Sequence, residues 1–400
     1  MTYDTLIVGA GVIGCATARA LAAARPGWKI LVLEKEPDVA RHTSGRNSGV
    51  IHSGFNAKPG TMKSKFCVEG NRRLREFCTS RGVAMMEVGT VVVAVDDGDE
   101  AVLQEILRRG TEAGVPGLEL IGRARLAEIE PFAQGYAALT SPTGSIVHST
   151  GVVKAYAAAA RDAGVNFAFY KRVDGIDVSG EGFRVRADRE SYDCARFVNC
   201  AGLQADRIAH MLGVAEDFTI VAFRGDYYKL SDAKSHHVRS MIYPAPNLTY
   251  PFLGIHFTRK ITGDVLAGPN AVIAFGRESY RALDVHLRDT IGMIADTRFW
   301  KMISAKAFRT LAWGQLKTTL FRREFLRQAG KLLRGVEAGD FTCAQSGNRA
   351  QLVNRSGELV EDLLIDFHGR STHVLNAVSP GLTCSLPFAD YVVSEILKRE

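Results

Sequence analysis

The first thirty-four residues restrict the fold more than any other stretch. Thr5-Leu6-Ile7-Val8 is a short apolar, partly β-branched run that suits a buried parallel strand. Gly9-Ala10-Gly11-Val12-Ile13-Gly14 follows at once, and an alanine-rich stretch continues to about Ala24, where Pro26-Gly27 ends a helix. Ile30-Leu31-Val32-Leu33 is a second strand-like run, closed by Glu34. Strand, glycine turn, helix, strand and acid together make a βαβ unit of dinucleotide-binding type. Gly9 permits the tight turn, Gly11 lets backbone approach a pyrophosphate, and Gly14 lets the helix pack closely on the sheet. The helix start at Val12 and Ile13 offers N–H groups and a positive dipole end to phosphates. Glu34 can accept hydrogen bonds from ribose hydroxyls. This pattern fits NAD as well as FAD.

With 400 residues, 46% of them hydrophobic, the chain can bury two domains. The apolar pattern predicts strands at Val88–Val95, Arg184–Ala187 and Arg196–Gly202, the last entering a glycine turn. Helical spacing marks Ala101–Gly110 and Val152–Ala163. Residues 221–275 suggest a mixed sheet, and 283–334 are largely helical. The fold class expected is α/β, a Rossmann-like nucleotide-binding domain interleaved with a mixed-sheet α+β substrate domain. The first takes 1–85, 148–220 and 335–400; the second takes 86–147 and 221–334.

Seven cysteines are scattered without a Cys-x-x-Cys pair, so neither a disulfide framework nor a metal site is expected, only buried free thiols. No apolar run is long enough to span a membrane, and no signal peptide is expected. The net charge of +7 allows nucleic acid as a partner, but no nucleic-acid module is visible and none is expected. The expected location is the cytoplasm.

The loop Arg41 to Gly54 separates the two dinucleotides. It is dense in small and short hydrogen-bonding residues, among them Thr43, Ser44, Arg46, Asn47 and Ser48, and can wrap a pyrophosphate and ribityl chain. At these residues the sequence resembles the FAD-dependent L-2-hydroxyglutarate dehydrogenase/oxidase family, within the D-amino-acid-oxidase-like flavoproteins. The resemblance covers nearly the whole chain. Its most diagnostic stretches are Phe223-Arg224-Gly225-Asp226-Tyr227, Pro251 to Thr258 and Gly268-Pro269-Asn270-Ala271-Val272, with Arg349-Ala350-Gln351 and Asn376-Ala377 nearer the C-terminus. There are departures. Asn56-Ala57 replaces two aromatic residues often found before the Lys-Pro pair, and the C-terminal motif reads Asn376-Ala377-Val378-Ser379-Pro380-Gly381-Leu382-Thr383.

The resemblance implies FAD and oxidation of a 2-hydroxy acid to the 2-oxo acid, L-2-hydroxyglutarate first, by hydride transfer to flavin N5. Another small hydroxy or amino acid is the alternative substrate, and a non-catalytic nucleotide-binding protein is a remoter one. Such chemistry needs a base, cationic clamps for carboxylates and a dry pocket. His256, between Ile255 and Phe257 in an apolar run, is the first candidate base, and His52, just after the flavin loop, the second. His236 and His237 stand in a polar stretch and are expected in solvent. Arg224, Arg349 and Arg259 can clamp carboxylates, although Arg224 could equally pair with Asp226. Tyr227 and Asn270 can hydrogen-bond substrate, and Lys58 is placed near the pocket mouth. Pro380, Gly381, Leu382 and Thr383 are placed at a helix start that makes a second flavin contact. Lys35, Val173, Ala201, Gly202 and Asp206 complete the candidate cofactor residues.

Residues 281–334 carry twelve Lys/Arg against four Asp/Glu, with six Phe and Trp interleaved. Two readings follow: peripheral contact with the inner face of the cell membrane, or aromatics packed inward with the charges in water. The electron acceptor is correspondingly a membrane quinone or O₂.

Overall fold

Strand Thr2–Val8 forms at the centre of an eight-stranded sheet, as the opening pattern predicts. In the computed structural model, which describes residues 2–248, 254–377 and 379–399, it pairs in parallel with Ile30–Leu33 on one side and Glu190–Asn199 on the other. Ser371–Asn376 lies parallel beside Glu190–Asn199. The hairpin Val173–Ser179 and Gly182–Ala187 joins that strand antiparallel.

Parallel strands bury both faces, and the side chains divide by alternation. Ile7, Ile30 and Val32 enter a core roofed by the helices Val12–Ala24, Met62–Ser80, Ser149–Asp162 and Gly381–Leu397. Leu6, Val8, Leu31 and Leu33 enter a second core with Val185 and Phe197. Ten of the thirteen residues of Val12–Ala24 are buried, so its composition is small and apolar all round. Inside the first core the Tyr156 hydroxyl meets Ser385 Oγ at 3.0 Å, and its ring lies 4.7 Å from Phe77.

A second eight-stranded sheet builds the substrate domain. Met241–Pro244 runs parallel to Thr90–Ala94 and antiparallel to His256–Arg259, so this sheet is mixed, as expected. A three-stranded antiparallel sheet, with Thr219–Gly225 between Val272–Ile273 and Gly347–Val353, lies between the two. Four consecutive helices, Leu287–Ala295, Thr297–Ser304, Lys306–Leu320 and Arg322–Leu332, fill the stretch read as helical.

Some expectations need correction. Phe341–Cys343 pairs with Tyr228–Leu230, so the chain stays with the second sheet beyond residue 335. The strand expected from Val88 begins at Thr90, because Gly89 takes a left-handed φ of 75°. His237 is buried, its ring stacked 3.7 Å from that of Phe132, whereas His236 is exposed. Six of the seven free cysteines are buried, and Cys343 is exposed. Pro251-Phe252-Leu253 and Val378 lie outside the described residues.

Helices Met62–Ser80 and Gly381–Leu397 pack at contact distance through Gly70, where a Cβ would lie 2.2 Å from the Thr383 carbonyl oxygen. Gly70→Ala should therefore cost about 1–3 kcal/mol of stability, the usual penalty of overpacking. A urea midpoint equal to the wild-type value would show that the helices can part freely.

Candidate active site

One cavity of about 650 Å³ runs between the two sheets, within the size range of small-molecule and cofactor sites. At its nucleotide end the turn after Thr2–Val8 contributes Gly9, Gly11, Val12 and Ile13. A Cβ on Gly9 would lie 2.5 Å from the Cys200 carbonyl oxygen, whereas one on Gly11 would meet only Ser44 Oγ, at 3.1 Å. Gly11 thus keeps backbone open to the cavity, and Gly14 packs helix on turn without lining it. Val12 N–H donates to Ser44 Oγ at 2.9 Å. The Glu34 carboxylate accepts from Ala10 N–H at 2.7 Å and from Glu36 N–H at 3.0 Å, which holds it at the strand end beside the turn.

The loop from Arg41 supplies Thr43, Ser44, Arg46, Asn47 and Ser48 to the same cavity, and Val173, Ala201 and Gly202 close it from the sheet side. Thr43 Oγ1 donates to the Asn348 carbonyl at 2.9 Å, and Asn47 Nδ2 donates to the Ser44 carbonyl at 2.8 Å. Pro380, Gly381, Leu382 and Thr383 reach it from the start of the last helix. Thr383 Oγ1 accepts from His52 N–H at 3.0 Å, so the helix start and the His52 loop are joined.

At the other end the cavity gathers His52, Tyr227, His256, Asn270 and Arg349. These come from five separate stretches of chain. His256 Nδ1 lies 3.0 Å from the Gly254 carbonyl. A carbonyl only accepts, so Nδ1 carries the hydrogen and Nε2 keeps its lone pair for a proton. The ring stacks on Tyr243 with centroids 4.2 Å apart. Burial pushes the His52 imidazole down to about 4, helped by the charge of Arg349. Burial likewise takes His256 down to about 4, with His52 and Arg349 adding to the effect against the hydrogen bond it donates to the Gly254 carbonyl. Both rings are neutral at pH 7. The Tyr227 phenol hydrogen-bonds Ser48, and burial raises it above its ordinary value.

Five sequence candidates do not line this cavity as site residues. Arg224 alternates with Phe223 and Gly225, which do line it, and so points to the other side of its strand. There it holds Asp226, with Nε to Oδ1 at 2.7 Å. Arg259, in phase with Phe257 rather than with His256, donates to the Val238 carbonyl at 3.2 Å. Lys58 is exposed. Asp206 is buried and paired with Arg277, Nη2 to Oδ2 at 2.7 Å. Gly14 serves packing alone. Asn270 lines the cavity, but both ends of its amide are used, by Asp226 N–H at 2.8 Å and Thr319 Oγ1 at 2.6 Å. Sequence reasoning missed Glu278, Ser279 and Asn348 on the cavity wall. Missed too were Lys171 and Arg172, whose adjacency to Val173 was the available clue.

A glycine turn under a helix start, an acid at the end of the next strand and a loop of small polar residues define a dinucleotide-binding oxidoreductase site. The family profile described as FAD dependent oxidoreductase matches residues 4–395, and the chain belongs to that DAO family. Among its relatives, human mitochondrial L-2-hydroxyglutarate dehydrogenase is 35% identical, over 100% of this chain and 89% of its own. L-2-hydroxyglutarate dehydrogenases of Indibacter alkaliphilus and Escherichia coli K12 are each 34% identical, covering 100% and 98% of this chain and 100% and 93% of theirs. The fold matches L-α-glycerophosphate oxidase from Mycoplasma pneumoniae with FAD bound, at a TM-score of 0.79 and 22% identity, over 100% of this chain and 94% of that one. It also matches glycine oxidase from Geobacillus kaustophilus, at 0.72 and 17%, over 100% and 95%. The cofactor is FAD, and the open backbone at Gly11 with the helix start above it fits the group.

The depressed histidines set a pH dependence. Each must be unprotonated to accept a proton, so kcat/KM should stay level from about pH 8 to about pH 6 and fall only as pH drops towards about 4. An acid limb centred near 6.5, in a steady-state pH series, would mean that the base is solvated.

Proposed function

We propose that this protein oxidises L-2-hydroxyglutarate, a 2-hydroxy dicarboxylic acid, to 2-oxoglutarate. The observation that carries the reading is the meeting of two neutral histidines with the enclosed Arg349 in a cavity continuous with the cofactor turn. FAD, when bound, supplies the hydride acceptor. Arg349 offers a planar, always-charged partner to a substrate carboxylate. His256 Nε2 takes the hydroxyl proton as the C–H and O–H bonds break and the C=O bond forms, with His52 as the second candidate for that proton. Tyr227 is left to hydrogen-bond the acid. The relatives support the choice of substrate. Asn56-Ala57, in place of the two aromatics, favours a broader pocket, and with it another small hydroxy or amino acid as the second reading.

Bleaching of the flavin absorbance under anaerobic conditions by a panel of hydroxy and amino acids tests the reading. L-2-hydroxyglutarate should bleach fastest, and faster bleaching by an amino acid would replace the substrate. Within the same assay, His256→Asn should slow flavin reduction by roughly 10²–10⁴-fold with a smaller change in affinity. Arg349→Met should instead weaken substrate binding by about 10²-fold or more. Stopped-flow reduction across substrate concentrations separates the two, with FAD content measured first. A His256→Asn enzyme reduced at the wild-type rate would move the base role to His52.

The electron acceptor is read from the basic helices. Phe299, Phe308 and Phe325 pack inward, whereas Trp300, Trp313 and Phe321 are exposed, at 50%, 54% and 58%. Leu287–Ala295 buries none of its residues, and Leu287 and Ile291 are exposed beside Arg288. Among the described residues no helix is long and apolar enough to cross a membrane. This combination supports a cytoplasmic protein touching the inner face of an anionic membrane and passing electrons to quinone, with O₂ as the alternative acceptor. Sedimentation with anionic vesicles should show binding at low ionic strength that salt reverses. Absence of binding at low salt would leave the exposed aromatics without a membrane role.

A further inference from the structure

Lys35, Asp206 and Arg224, which the sequence placed at the cofactor or substrate, all hold one and the same segment; Lys35 also lines the cavity. Residues 276–285 form a loop of irregular backbone, closed at its base by His286 N–H to the Phe275 carbonyl at 2.9 Å. Arg277, at its start, is tied to the buried Asp206 and donates to the Leu203 carbonyl at 2.7 Å. Arg224 donates to the Arg281 carbonyl at 2.8 Å. Lys35 Nζ donates to Glu278 Oε2 at 2.9 Å.

Glu278 and Ser279 form part of the cavity wall; Tyr280 does not. Tyr280 faces the nucleotide loop, with its hydroxyl 2.5 Å from His42 Nδ1 and the Arg46 guanidinium 3.9 Å from its ring centroid. Around Lys35 Nζ stand Glu36 Oε1 at 2.6 Å, His42 Nε2 at 2.9 Å and Glu278 Oε2. These are metal-ligand types in a tight group, but the lysine ammonium supplies the cation they share. The His42–Tyr280 bond forms with either histidine tautomer, since a phenol both donates and accepts.

We propose that 276–285 is a strap that retains FAD, latched to the nucleotide loop by Lys35–Glu278 and His42–Tyr280. The base of the loop is tied to the protein by backbone and by a buried ion pair, and its carbonyls are held along its length by Asn348 Nδ2 (to Arg277 and Ser279), Ser346 Oγ (to Tyr280) and Arg224 (to Arg281); the latch adds the two contacts that reach the nucleotide loop. Opening the latch exposes the cavity wall made by Glu278 and Ser279, and closing it encloses the cofactor. Compact loops with joined ends suit such movement. Of the latch residues, Lys35, His42 and Glu278 line the cavity, whereas Tyr280 does not and is a positioning residue.

The test uses the FAD-loaded protein, diluted into buffer, with released FAD followed by its fluorescence. Tyr280→Phe is chosen because Tyr280 itself is absent from the cavity wall; it acts on FAD through the strap and through its contacts with His42 and Arg46, which line the cavity. It should speed FAD release by about tenfold, the effect of one lost hydrogen bond to a polar network. Glu278→Gln should speed it at least as much. Release from Tyr280→Phe within about twofold of wild type would overturn the proposal, including when Glu278→Gln is fast, since that pattern marks a direct contact. If Tyr280→Phe does not load FAD, hydrogen exchange on the unaltered protein decides. Amides of 276–285 should exchange faster without FAD than with it, and equal protection in both states would overturn the strap. Neither readout depends on which acid is oxidised.

Discussion

A Cβ atom on Gly9 would stand 2.5 Å from the Cys200 carbonyl oxygen, and one on Gly14 would stand 1.9 Å from that of Gly9. Two contacts of backbone on backbone therefore set the distance between the first turn, its helix and the strand end at Asn199. Because Val8 is in register with Asn199, Ala201 and Gly202 arrive beside the turn and complete that end of the cavity. Glu34 and Ser44 then bond to Ala10 and Val12 and hold the turn in place. Side chains could not substitute for these glycines without opening the sheet.

At the opposite end the governing term is desolvation. An arginine and two histidines share an enclosed space, and burial of the rings beside a fixed positive charge keeps both imidazoles uncharged. Burial also pushes the Arg349 guanidinium down, the same cause that lowers both rings. The backbone on either side of His52 is pinned as well: Thr383 takes its N–H and Asn71 Nδ2 donates to its carbonyl at 3.1 Å.

The nucleotide half was legible because its constraints are local. Glycine spacing, strand length and the acid at Glu34 all lie within thirty-four residues, and the polar loop to Ser48 follows directly. Arg349, His256 and His52 could be singled out, but their meeting depends on three different sheets. The failures share a physical cause. Strand alternation sends Arg224 and Arg259 to the far faces of strands that also carry cavity residues, Phe223 and Gly225 on one and His256 on the other, and a one-residue difference in phase is invisible in a motif. Asp206 faces Arg277, seventy-one positions away in sequence, and Glu278 meets Lys35 at a separation of 243. No local pattern announces such pairs. Gly89 explains why one strand starts late, and it could have been read from the sequence.

Strand pairing also fixes an order of events during synthesis. Thr2–Val8, made first, has neighbours at Ile30–Leu33 and Glu190–Asn199, and the latter is bordered in turn by Ser371–Asn376. One of the four helices that roof the first core, Gly381–Leu397, follows Ser371–Asn376 in sequence. A chain made only as far as Asn376 thus carries a finished glycine turn but lacks one of the helices over its first core. Pairings this distant are slow to form, and an exposed strand edge on a growing chain invites wrong partners. Nucleotide recognition is written in one short stretch, but the fold that can use it is completed by strands and a helix far downstream in the chain.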